Sequence, residues 1–122
     1  MSKFAPDATL DAMLDYIAGS NVMVACSSQP SVYGDLAAAA LADVAMASGD
    51  FTKANGDVSG RKLTMGAKNS VSVDSSGTAT HVALADTATS TLRYVTTCTS
   101  QALTSGNTVN FPAWKIEVGD PT

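Results

Sequence analysis

Positive charge is scarce in this chain. Seven Lys and Arg stand against eleven Asp and Glu, giving a net charge of −4. Nucleic-acid binders draw most of their affinity from cations on phosphate, so nucleic acid is not expected as a partner. Histidine is limited to His81, and the two cysteines, Cys26 and Cys98, lie far apart without CxxC spacing. Such a set cannot build a zinc site of familiar spacing. The thiols are expected to be free and buried, as in a protein made in a reducing cytoplasm. No run approaches the ~20 apolar residues that span a bilayer, so no membrane is expected either. The opening Met1-Ser2-Lys3-Phe4-Ala5-Pro6 leads into an acidic amphipathic stretch and not into the apolar core of a signal peptide. Aromatics are few, at three Phe, three Tyr and one Trp, while Ala, Thr and Ser make up about two-fifths of the residues. Small side chains suit thin sheets and close backbone packing better than a deep ligand pocket.

What is present is enough for one domain. A chain of 122 residues hides roughly two-thirds of its unfolded surface, which supports a single modest core. Hydrophobic residues at 45% and charged ones at 15% mark it as globular. Charge is unevenly spread: Met1 to Phe51 holds Lys3 against six Asp, and the remainder holds six bases against five acids. Two such halves either meet across a subunit contact or present a plain solvated surface.

The one convincing helix covers residues 7–18. Leu10, Met13, Leu14 and Ile17 recur at i, i+3, i+4 and i+7, forming one apolar stripe that must lie on a sheet. Pro6, with Asp7 and Thr9 as candidate caps, marks the start, and Gly19 suits a left-handed residue at the end. Strand signals fill the rest. The first is Val22–Cys26. A turn or short helix runs to Ala40 and gives way to a strand near Leu41–Ala47. Asn55-Gly56 is a strong turn dipeptide, and Gly60 closes the loop before Arg61–Met65. Further runs are Val71–Val73, Thr78–Ala85, Thr91–Thr97, Gln101–Leu103, Val109–Phe111 and Trp114–Val118. Within Thr91–Thr97, alternation puts Leu92, Tyr94 and Thr96 on one face and Arg93, Val95 and Thr97 on the other. Short strands between turn signals predict a mainly β chain, an antiparallel β-sandwich or jelly-roll-like fold with one N-terminal amphipathic helix. Residues 1–6 form an arm and 7–122 a single β-rich domain.

A search for chemistry comes back empty. His81 lies in the predicted strand Thr78–Ala85, opposite the face of Val82 and beside Ala79 and Ala83, with no nucleophile or acid at a useful spacing. Asp50 to Asp57 gathers oxygen ligands around a turn, but Thr52 and Ala54 replace oxygens that an EF-hand loop requires. Gly60-Arg61-Lys62 lacks the glycine-rich run of a P-loop and precedes a strand. Gly34-Asp35 lacks the serine of a nucleophile elbow. The expectation is a protein that is not an enzyme and needs no cofactor or metal.

The order of motifs carries more than any one of them. Leu10-Asp11-Ala12-Met13-Leu14-Asp15-Tyr16-Ile17 and Cys26-Ser27-Ser28-Gln29-Pro30-Ser31-Val32-Tyr33 open the series. Leu41-Ala42-Asp43-Val44, Asp50-Phe51-Thr52 and Asp57-Val58-Ser59-Gly60-Arg61-Lys62 follow. Then come Gly77-Thr78-Ala79-Thr80-His81-Val82-Ala83-Leu84, Leu92-Arg93-Tyr94-Val95-Thr96-Thr97 and Asn110-Phe111-Pro112-Ala113-Trp114-Lys115-Ile116. Across nearly the whole chain this series resembles a family of small virion structural proteins of tailed bacteriophages. The resemblance implies a capsid decoration (cement) protein on the exterior of an HK97-like shell, made in the host cytoplasm. Its partners would be the major capsid protein and further copies of itself, a trimer before a dimer. The alternative is a tail, neck or fibre component with a role in host attachment, and a carbohydrate-binding module is a third reading. The resemblance supplies no catalytic residues. The interface candidates are Lys3 and Phe4 on the arm, held extended before Pro6, with Phe111 and Trp114 near the C-terminus.

Overall fold

The computed structural model describes residues 4–120. The described chain is mainly β, with antiparallel pairing throughout and two helices. Helix α1 (Asp7–Ala18) is followed by β1 (Val22–Cys26), the single-turn α2 (Leu36–Ala39) and β2 (Ala40–Ala45). Next come β3 (Phe51–Asn55), β4 (Arg61–Met65), β5 (Lys68–Ser72) and β6 (Gly77–Asp86). The chain ends with β7 (Thr91–Leu103), β8 (Thr108–Phe111) and β9 (Trp114–Val118). One sheet has the order β2-β1-β6-β7, a second β3-β4-β9, and β5-β8 forms a two-stranded ribbon. A bridge from Val73 to Ala42 ties the ribbon to β2.

The apolar run of β1 is central to its sheet and buried on both faces, hence its unbroken hydrophobicity. Met23 and Ala25 join the main core, which draws Leu14 and Ile17 from α1, Leu63 and Met65 from β4, Leu84 from β6 and Ile116 from β9. Val24 and Cys26 face the other way, onto Ala83, Ala85 and the cover formed by Leu36 and Ala39. The Asn55–Arg61 turn requires glycine twice. A Cβ on Gly56 would meet the Ser59 carbonyl oxygen, and one on Gly60, at φ +69°, would meet that of Val118.

Several expectations need correction. Met13 belongs to the apolar stripe by spacing, yet it is 48% exposed, while Leu10, Leu14 and Ile17 are buried. The helix lies on its partners along a narrower strip than the pattern suggests. Gly19 is right-handed, at φ −77° and ψ −1°, not left-handed. What glycine leaves there is room for the Arg93 guanidinium, which a Cβ would press aside. Arg93 itself sits at a β-bulge, since Tyr94 pairs with Leu84 but Leu92 with Ala85. The extra residue sends Leu92 to the Cys26 side of the sheet and leaves Tyr94 in the main core, so the two do not share a face. A second irregularity, between Ala79/Gln101 and His81/Thr97, puts three residues of β7 opposite the single Thr80 of β6. It also joins Thr91–Thr97 and Gln101–Leu103 into one strand of 13 residues. Strand β3 has no strand signal in the sequence, where only the Asn55-Gly56 turn after it stands out; its mixed Phe-Thr-Lys-Ala-Asn pattern reflects an edge position beside β4.

Candidate interaction surface

Among the described residues every Lys and Arg is paired with a carboxylate. Asp11 of α1 receives Arg61 Nε at 2.9 Å, and Asp15 meets Lys53 Nζ at 2.5 Å. Lys68 pairs with Asp50 at 2.9 Å, Arg93 with Asp86 at 3.0 Å, and Lys62 with Asp57 at 2.6 Å. Lys115 also pairs with Asp57. The acidic N-terminal segment and the more basic remainder therefore meet inside the chain, with α1 docked through its aspartates onto β3 and β4. The Asp11 carboxylate holds the Arg61 guanidinium above its ordinary pKa. Arg93 does more. Its Nη1 donates to the Tyr16 carbonyl at 2.6 Å, and its guanidinium lies 4.4 Å from the centre of the Tyr16 ring. The last turn of α1 contains no base of its own, so Arg93 supplies the positive charge that its dipole favours there.

The segments tested for chemistry are occupied by structural contacts. Asp50 accepts the Ala47 N–H at 2.8 Å and pairs with Lys68; together these hold its carboxyl below the usual range. Glu117 accepts the Asp57 N–H at 2.5 Å. Among the described residues no three His, Cys, Asp or Glu converge as metal ligands. His81 Nδ1 bonds Thr80 Oγ1 at 2.8 Å. Cys26 is fully buried, and burial, with a smaller contribution from nearby Cys98, pushes its thiol up to about 11. Burial also raises Cys98. Both are free, and both are poor nucleophiles at neutral pH because the thiolate is the reactive form.

The interface candidates separate. Lys3 lies outside the described residues. Phe4 is 85% exposed, among the described residues the most open large apolar side chain after Val58. Phe111 is only 5% exposed and belongs to the main core. Trp114 is half-buried, with its ring 6.2 Å from that of Tyr94 and Nε1 directed at Met23 Sδ, 3.4 Å away. Phe111 and Trp114 nevertheless come together, because Pro112 turns the chain between β8 and β9. With Val82, Thr96 and Cys98 they line a cleft of about 300 Å³, and an adjoining hollow of about 210 Å³ continues toward Leu103 and Val109. Sequence reading singled out the two aromatics but not Cys98, Val82 and Thr96, which enter through sheet pairing that no local pattern announces. It also missed Met13 and Tyr16 as exposed groups on the outer side of α1. Comparison with protein-family models, curated proteins and solved structures gives no match. No helix of the described residues is long and apolar enough to cross a membrane.

Proposed function

We propose that this chain is a non-enzymatic structural protein of a tailed-phage virion, acting as a decoration protein on the outer face of an HK97-like shell. The observation that carries the reading is the ordered series of motifs from Leu10 to Ile116 and its resemblance to small virion proteins. Physical features agree with it. The described cations are engaged by the chain's own carboxylates, which suits a protein kept away from packaged DNA. The carboxylates and thiols that could do chemistry are held in structural contacts or buried. Phe4 stands exposed ahead of Pro6, as an assembly anchor would. In this reading the four-stranded and three-stranded sheets face one another as a sandwich of jelly-roll type, sealed at one side by α1. The chain binds the major capsid protein across neighbouring capsomers, is present as a homo-oligomer with a trimer favoured, and reaches the virion from the host cytoplasm.

Counting copies per particle tests the proposal. Quantitative mass spectrometry of purified virions should find this chain in hundreds of copies, in fixed ratio to the shell protein. Tens of copies or fewer would transfer the reading to a tail, neck or fibre component. Absence from the particle would end it.

A further inference from the structure

We infer that the cleft between β7 and the Phe111–Trp114 corner receives the N-terminal segment of a second copy of this chain, with the Phe4 ring as its anchor. The inference rests on the self-assembly part of the proposed function and names the surface that performs it.

The cleft and its continuation share Val82, Cys98, Phe111 and Pro112 and contain no charged side chain in their walls. A charge placed there would lose its hydration without a partner, whereas an apolar ring would not. The strand beside the cleft is also only lightly guarded. Strand β7 is the edge of its sheet, is 13 residues long, and from Tyr94 to Leu103 carries neither charge nor proline. The other edges differ: β2 carries Asp43, β3 Lys53, β5 Lys68, and β9 both Lys115 and Glu117, while β8 has only four residues. Charge, shortness and bulges are the usual protections of a sheet edge; β7 is long, its one charge, Arg93, is engaged by Asp86, and its two irregularities are what remain to guard it. An edge with a neighbouring apolar hollow takes an extended segment, which bonds along the main chain and drops a side chain into the hollow.

The occupant follows from what the chain leaves open. Phe4 is 85% exposed and uncharged, and Pro6, at φ −66° and ψ 156°, continues the extended path ahead of α1. The chain's own Phe4 is at the wrong end of the molecule. Helix α1 sets Asp11 on Arg61, level with Val118, and Asp15 on Lys53, level with Ile116, so it begins at the Val118 end of β9. The cleft lies at the other end of β9, by Trp114, about 13 Å away at the rise of a β-strand. Phe4 precedes Asp7 at the far, Val118 end, so a neighbouring copy fills the cleft. Head-to-tail exchange of this kind closes into a ring when the rotation allows.

Native Cys98 provides the test. In a Phe4→Cys variant of the full chain, a mild thiol oxidant should join residue 4 of one copy to Cys98 of another, since Cys98 lines both hollows. Cys26, fully buried, is out of reach. The bond is located by mass spectrometry on a mixture of isotopically light and heavy protein, where an intermolecular link contains one label of each kind. It should vanish in F4C/C98S. Light scattering should show Phe4→Ser dissociating at concentrations about tenfold or more above those of the unaltered chain, as for an interface anchor. An oligomer with no link between positions 4 and 98, or one unaffected by Phe4→Ser, overturns this inference and leaves self-assembly standing. A link confined to single molecules also overturns it. An unaltered chain that stays monomeric at millimolar concentration overturns both.

Discussion

Leu14 has no exposed surface, and Met13 beside it has 48% of its own in solvent. Leu14→Ala should therefore cost roughly 2–5 kcal/mol, the range for emptying a filled core site. Met13→Ala should stay within about 0.5 kcal/mol, as surface changes do. Urea midpoints of the two variants check the contrast, and equal midpoints would mean that α1 rolls on its bed. Cys26 gives a second residue-scale prediction, in pH. Its folded pKa of about 11 lies above the ordinary value of 9.0 because burial disfavours the thiolate. The folded state thus holds its proton more tightly than the unfolded state does. The associated stability is complete below pH 9 and is lost as pH rises toward 11. Denaturant midpoints followed from pH 8 to 11 should fall, and Cys26→Ala should flatten that limb while lowering the neutral-pH midpoint through lost packing. An equally steep alkaline limb in the variant would assign the loss to other groups.

Elements are where legibility divides. Strands β1, β4 and β9 could be read with their bounds because each is a short apolar or alternating run between clear turn residues. The helix was legible for the same reason, down to its start after Pro6. Strand β3 was not, since an edge strand with one half-buried face needs no apolar alternation. The faces of β7 were lost at Arg93, where one inserted residue reverses every assignment upstream of it. The cleft was half legible: aromatic scarcity drew attention to Phe111 and Trp114, but their neighbours come from β6 and β7 through long-range pairing. Gly19 shows how a correct residue can be given a wrong reason. Glycine after a helix suggests a left-handed cap, whereas here it clears space for the Arg93 guanidinium on the Tyr16 carbonyl. The two explanations predict different couplings. Gly19→Ala should cost about 1–2 kcal/mol by displacing a charge-assisted hydrogen bond. In an Arg93→Ala background most of that cost should disappear, a non-additivity that a double-mutant cycle reads directly. Additive costs would show that the Arg93 guanidinium is not what constrains position 19.

At the scale of the whole molecule, charge is arranged to hold the chain together. Three of the six aspartates before Phe51, namely Asp11, Asp15 and Asp50, pair with Lys53, Arg61 and Lys68 from the later half. Each of these pairs is partly exposed and screened by solvent, so each contributes little to stability. Their larger consequence is for what the surface offers a partner. A cation bridged to a carboxylate presents a weak field to a phosphate, and a net charge of −4 repels a polyanion before contact. Fluorescence anisotropy with a labelled DNA duplex near 150 mM salt should therefore find binding weaker than about 10⁻⁴ M, the weak end of non-specific affinities. Releasing the cations should change this. Asp11→Asn with Asp15→Asn and Asp57→Asn frees Lys53, Arg61, Lys62 and Lys115 and moves the net charge toward zero. Affinity for the duplex should then rise measurably at low salt and fall steeply as salt is added. Micromolar binding by the unaltered chain, with a salt slope of several charges, would show that the internal pairs open readily. The proposed place on the outside of a virion would then need another means of keeping the chain from DNA.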